Sequence, residues 1–269
     1  METLKRFTAA ETYLLLNGRS ASFKDLMKYT FMDLVNRKVL AVTTQPYTIN
    51  EVETGAEVDY VSDGPEFANH AERKHESAFL YPFKGNQDQE ILLTQFIKTA
   101  RQSARSRAHY IWNMMLKNEE LGKCIKTTFW QRVFGSLNPS EYGQPIKEKL
   151  QRELKELEVL LPQLLESDPE KALALVAALG GNIYLINSLD FKLLKKADEA
   201  FAKDNGTSAG AVADDGFHYY YYSAFDSADS SFDSGFDSGF DAGGGDGGSG
   251  CGGSGCGSGC GGGCGGCGG

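Results

Sequence analysis

Apolar positions along the first 205 residues recur mostly at helical spacing and fall into short segments with readable starts and stops. Thr8-Ala-Ala-Glu11 reads as a capping box, in which a hydroxyl and a carboxylate each satisfy a free amide at a helix start. That helix is expected to run to about Asn17 and to stop at Gly18. Ser22-Phe-Lys-Asp25 opens a second helix, with Phe23, Leu26, Met27, Phe31, Leu34 and Val35 on one apolar face through about Arg37. Val39 to Thr44 is apolar and β-branched, a strand by composition, and Tyr47 to Tyr60 offers a return strand. Helix, helix and strand in that order form the skeleton of a winged-helix unit.

Residues 62–87 mix Gly, Pro and charge without periodicity and read as a linker or long loop. Helical pattern resumes near Asp88, through Ile91, Leu92, Phe96 and Thr99, then from Ala104 to Leu116, and again from Leu121 to a stop at Gly135. Lys126-Thr-Thr-Phe-Trp-Gln-Arg-Val133 shares Lys, Thr, Phe and Val in register with Lys28-Tyr-Thr-Phe-Met-Asp-Leu-Val35, which suggests a repeated helical unit. Pro145 suits the first turn of a long helix whose stripe is Ile146, Leu150, Leu154, Leu157 and Leu161, and Pro162 is expected to kink or end it. Asp168-Pro169 starts another helix that Gly180-Gly181 ends, Asn182 to Ile186 reads as a short extended piece, and Asp190 caps a last helix through Phe201.

Composition changes character after this point. From Gly206 onward there are eight acids (Asp214, Asp215, Asp226, Asp229, Asp233, Asp237, Asp241, Asp246) and no Lys or Arg, so this tail holds −8 of the net −9. It also holds 23 of the 32 glycines. A near-neutral body and an acidic tail argue against binding nucleic acid through its phosphates. The tail has too little apolar area to offset its ordering entropy and is expected to be disordered. Met1-Glu-Thr-Leu-Lys-Arg-Phe does not read as a secretory signal, and no apolar run approaches the roughly 20 residues of a bilayer helix. A cytoplasmic protein with reduced thiols is the expectation.

Within the tail, Phe217-His-Tyr-Tyr-Tyr-Tyr222 could return to the body as an edge strand or patch. The dipeptide Phe-Asp recurs at Phe225, Phe232, Phe236 and Phe240, either as aromatic stickers for multivalent docking or as a solubilising spacer. Five cysteines follow: Cys251, Cys256, Cys260, Cys264 and Cys267. Thiolates favour zinc, copper(I) or iron–sulfur clusters, but only Cys264-Gly-Gly-Cys267 has knuckle spacing, and no hydrophobic mini-core accompanies it. A zinc or copper site, an unstructured reactive or adhesive tail, and cysteine and serine strings resembling the azole-forming cores of microcin-type peptides are the three readings of this terminus.

Elsewhere the chemistry is sparse. His70, His75 and His109 are candidate bases, yet no nucleophile motif, phosphate loop or metal-spaced carboxylate pair accompanies them. His70 and His75, with Glu72 and Glu76, read as a solvated charged segment, and Cys124 as a core thiol. Lys24, Lys28, Arg37 and Lys38 could face DNA in a winged helix, although Asp25, Asp33 and Glu51 dilute their charge.

Leu16-Asn-Gly-Arg19, Leu34 to Val42, the Leu121 to Gly135 unit, the Gly180-Gly181 turn and the Gly/Cys terminus together resemble an uncharacterised bacterial family. The resemblance implies paired winged-helix-like helical units and a C-terminal Gly/Cys tail, often after membrane segments, which this chain lacks. It implies no activity and no site residues. The first unit is also similar to the start of Golgi-phosphoprotein-type lipid binders, without a basic pocket to match.

The expected architecture is mainly α with a small β component: a winged-helix-like unit over 1–61, the linker or long loop over 62–87, a helical domain over 88–204 holding the second such unit, and a disordered tail over 205–269. The expected function is a non-enzymatic interaction or scaffold protein. Its protein partners would be met through the Phe-Asp repeat and the Cys-rich tail, with thiol or metal contacts. The alternative is the precursor of a modified Gly/Cys peptide, or a metal-handling protein.

Overall fold

Thr8 and Glu11 form the expected capping box at the start of α1 (Ala9–Asn17): Glu11 N donates to Thr8 Oγ1 at 3.3 Å, and Thr8 N donates to Glu11 Oε2 at 2.9 Å. These coordinates are a computed structural model that describes residues 1–49, 52–86, 89–130, 136–186 and 231–232. Ser22 Oγ accepts from Asp25 N at 3.0 Å to cap α2 (Phe23–Asn36), which buries Leu26, Met27, Phe31, Leu34 and Val35 as its spacing predicts. The chain then turns into β1 (Leu40–Ile49) and back along β2 (Val52–Asp63), an antiparallel pair with Val42 opposite Val61 and a register shift between Pro46 and Thr48. β3 (Ile91–Leu92) adds a short third strand beside β2, giving the order β1-β2-β3. Helices dominate the rest, so the protein is mainly α with one small antiparallel sheet.

Residues 62–86 do more than connect. They hold α3 (Ser77–Leu80) and a 3-10 turn over Tyr81–Phe83, and they sink Ala78, Phe79, Leu80 and Phe83 into the core. α4 (Leu93–Ala104) presents Leu93, Phe96, Ile97, Ala100 and Ala104 to the same core. The periodicity through Ala104 suggested one continuing helix, but Arg105 takes φ 65° and Ser106 Oγ accepts from His109 N at 3.2 Å, so a new helix is capped there. This α5 (Arg107–His109) passes into a π-helical turn over Tyr110–Met114 and a 3-10 turn over Met115–Lys117. α6 (Glu119–Cys124) follows, with Asn118 as its cap.

The repeat suggested by Lys28–Val35 and Lys126–Val133 shares residues but not surroundings. Phe31 is fully buried, whereas Phe129 is 72% exposed and stacks edge-on against Trp130 at 5.7 Å. Val133 and the stop at Gly135 lie outside the described residues. Where the first unit has its hairpin, the second shows, among the described residues, only an isolated antiparallel bridge between Ile125 and Pro139.

α7 (Gly143–Ser167) buries Leu150, Leu154, Leu157, Leu161 and Leu165 and does not end at Pro162. The proline removes one N–H, but the buried leucines on both sides of it hold the helix on course. α8 (Pro169–Leu179) starts at Asp168, whose carboxylate accepts from Lys171 N at 3.2 Å, and ends at Gly180 with φ 58°. Residues 182–186 were expected to be extended. Instead the chain makes a 3-10 turn over Gly180–Leu185, because its polar groups find partners in the body. Asn182 Nδ2 donates to the carbonyls of Leu4 and Phe7, each at 3.0 Å. From α7, Glu153 accepts from Thr3 N at 3.2 Å and Leu4 N at 3.0 Å, so the first turn of the chain is held from two elements.

Apart from Ala9, the buried apolar residues of 4–40, together with Val61 and those of 78–130, 136–137 and 150–186, belong to one cluster, which Phe232 of the tail joins. The Asp190-capped helix, the tyrosine run and the remaining Phe-Asp copies lie outside the described residues. No described helix is long and apolar enough to cross a membrane.

Pro162 gives the fold a direct check. Pro162→Ala restores an N–H to an otherwise continuous helix and is expected to stabilise the protein by roughly 1–3 kcal/mol in urea denaturation. A loss of stability would mean that the proline is fitted to its site.

Candidate functional site

Charged and polar side chains from four parts of the chain converge beneath α1 and α2. The segment before α3 supplies His70, Arg73, His75 and Glu76. His70 and His75, with Glu72 and Glu76, were expected to be solvated; Glu72 is exposed, but Glu76 is fully buried and His75 is 1% exposed. The physical reason lies just downstream: Ala78, Phe79, Leu80 and Phe83 anchor in the core and pull the preceding charged residues in with them. An apolar run directly behind a charged pair was the available signal, and the lack of periodicity over the whole segment masked it.

Glu76 is the hub. Its Oε1 accepts from Arg37 Nη2 at 2.5 Å, and its Oε2 from Arg73 N at 2.7 Å and from His70 Nε2 at 2.8 Å. Burial by itself would raise this carboxyl, but His70, Arg37 and the Arg73 amide hold it at about 2. Arg37 also pairs with Asp33 Oδ2 at 2.7 Å, one turn earlier on α2. Arg37 therefore points into the body and not towards a nucleic acid. Asp33 Oδ1 in turn accepts from Gly181 N at 3.0 Å, tying α2 to the turn after α8. A Cβ at Gly181 would come within 2.6 Å of that oxygen and 2.9 Å of Asp33 Cα, so only glycine allows this approach. Burial pushes the Asp33 carboxyl up against the opposing pull of Arg37.

Glu11 completes the arrangement. Besides its capping bond, Oε2 pairs with Arg73, and Oε1 accepts from Asn118 Nδ2 at 2.9 Å. A residue legible only as a helix cap thus joins α1, the 70–76 segment and the cap of α6. His75 lies within the same electrostatic field, edge-on to the Tyr110 ring at 6.3 Å, and neither ring nitrogen has a hydrogen-bond partner among the described residues. Burial lowers its pKa, so the ring is neutral. Tyr110 donates to Thr30 Oγ1 at 2.8 Å, and Thr30 donates to Leu26 O at 2.9 Å; burial drives the phenol pKa upward.

The other candidates are scattered. His109 Nδ1 meets Ala104 O at 3.2 Å near the α4–α5 break, away from the Glu76 hub. Cys124 is a buried free thiol, raised to about 11 chiefly by burial, which fits the core role expected of it. Cys251, Cys256, Cys260, Cys264 and Cys267 lie outside the described residues. Among the described residues no three His, Cys, Asp or Glu side chains are placed to hold a metal ion. With Glu76 and Glu11 fully buried and His75 almost so, the cluster's chemistry is mutual charge compensation.

No family model matches this chain, and no curated protein or solved structure matches it either. The functional reading therefore rests on the chain's own residues.

Two measurements test the cluster. Glu76→Ala leaves Arg37, Arg73 and His70 without their shared acceptor and is expected to cost roughly 3–5 kcal/mol in urea denaturation. A cost below about 1 kcal/mol would reduce the cluster to a surface-like set of ion pairs. Acid titration tests the signs. Unfolding lets His75 take a proton as pH falls through its ordinary 6.5, while the native ring resists, so its contribution is present above 6.5 and lost below it. Glu76 loses its contribution later, as pH falls from 4.5 towards about 2, whereas Asp33, raised from 3.8, acts in the opposite sense. As pH falls from 7.5 to 5.5 the protein should lose stability through His75. His75→Gln should remove that slope, and an unchanged slope would show that His75 does not set it.

Proposed function

We propose that the protein is a non-enzymatic interaction or scaffold protein, in which a helical body carries a tail that makes the contacts. The observation that carries this reading is Phe232. It belongs to the Phe-Asp repeat, yet it is fully buried, with its ring 6.0 Å from that of Phe31 in α2. Phenylalanines of the repeat are therefore able to act as binding groups, which favours stickers over a solubilising spacer. The exposed Phe129–Trp130 pair adds an aromatic patch of the kind enriched at protein interfaces.

In this reading the five tail cysteines supply further thiol or metal contacts, and zinc or copper are the metals their softness favours. A cytoplasmic location suits it, because thiols stay reduced there and remain available. The tail's −8 charge sets it against nucleic acid, so the partners are proteins.

The reading is tested by crosslinking in the native host. Proteins crosslinked to the full chain should be lost when the five tail cysteines are changed to Ser or the four repeat phenylalanines to Ala. The same proteins recovered from all versions would overturn it. An intact mass below that of the plain sequence would instead favour the modified-peptide precursor, and zinc or copper retained through purification the metal-handling alternative.

A further inference from the structure

α7 has two sides. Leu150, Leu154, Leu157, Leu161 and Leu165 are buried on one. At about 3.6 residues per turn, the line opposite them runs through Arg152, Val159, Gln163 and Glu166, all within roughly 60° of arc. All four are exposed, Val159 to 62%. Leu160, on the shoulder of the same side, is 36% exposed, and these two are the exposed large apolar side chains of the helix. The charges on this line are not used within the chain. The side chains of Arg152 and Glu166 make no ion pair or hydrogen bond among the described residues, although Glu148 and Glu156 stand one turn to either side of Arg152.

The order of residues along this line is complementary to itself. Arg152 precedes Val159 by seven positions and Glu166 follows it by seven, about two turns each way. Two copies of the helix meeting antiparallel about a two-fold axis at Val159 set Arg152 of each opposite Glu166 of the other, and Lys155 opposite Gln163. No like charges between 152 and 166 then stand directly opposite one another. A parallel meeting would instead set Arg152 against Arg152 and Glu166 against Glu166, so the charges select the antiparallel one. The seven-residue spacing suits the shallow crossing of two long helices. We propose that the solvent side of α7, centred on Val159, is a self-association surface on which a second copy of the chain docks antiparallel, with Arg152 of each copy paired to Glu166 of the other. One valine at the centre and two ion pairs at the rim make a weak, concentration-dependent dimer. Where the tail makes contacts, as in the reading above, a dimer presents two tails and gains avidity. The surface itself does not depend on that reading.

Sedimentation equilibrium of the full chain tests the surface, under reducing conditions so that no disulfide links two copies. The unchanged chain should pass from monomer to dimer as its concentration rises. Arg152→Glu and Glu166→Arg each turn both rim attractions into repulsions and should weaken the dimer about ten-fold. The double variant Arg152→Glu/Glu166→Arg restores unlike charges in swapped places and should recover the affinity to within about three-fold. Val159→Asp should abolish the dimer. A chain that stays monomeric up to about 1 mM, the weak end of measurable affinity, overturns the surface. So does a dimer that the single reversals leave unchanged, or a loss that the double reversal does not recover. Recovery depends only on the sign of the two charges, so a reversal that merely damages the fold cannot imitate it. The measurement contains no other protein, so its failure is separate from failure of the crosslinking test.

Discussion

The buried carboxylate of Glu76 is the constraint around which the body is arranged. A charged group with no solvent exposure is tolerated only where other charges and donors surround it, and here they come from distant parts of the chain. Arg37 brings in α2 and, through Asp33 and Gly181, the turn after α8. Arg73 brings in Glu11 of α1, and Glu11 brings in Asn118. Removing one member leaves the others buried without compensation, which makes the cluster a device for holding one arrangement of helices. Nearly non-directional apolar packing could not supply that by itself.

Directly beside this polar region lies an aromatic one, in which Phe31, Phe79, Phe96 and Phe83 are in ring contact. α3 joins the two: Glu76 precedes it and Phe79 sits within it. Anchoring the rings therefore places the carboxylate, and the carboxylate with its arginines fixes the angle at which the rings meet α2. Phe232 adds to this aromatic region from the tail, and burying a phenylalanine contributes roughly 1.5–3 kcal/mol.

The two halves of the suggested repeat show how far residue identity carries. Phe31 and Phe129 match in the aligned stretches, yet one centres the aromatic core and the other stands in solvent beside Trp130. Environment depends on what packs over a helix, and four shared residues in eight do not encode that. The same lesson applies to charge. Arg37 and the His75-Glu76 pair are polar residues in a sequence window, but in the molecule they face inward.

What the sequence by itself determined was local. The capping box at Thr8, the apolar face of α2, the strand after it, the stripe of α7 and the Asp168-Pro169 start depend on neighbours within a few residues, and all of them formed. Tertiary structure decided what depends on partners far along the chain. Buried leucines carry α7 through Pro162, and hydrogen bonds to Leu4 and Phe7 turn 182–186 away from an extended course. Hydrophobic anchors on α3 draw His75 and Glu76 out of water, and Phe31 receives a ring from position 232. Each is a competition between a local preference of about a kilocalorie and a burial or pairing term several times larger. The larger quantity depends on contacts that sequence spacing does not record.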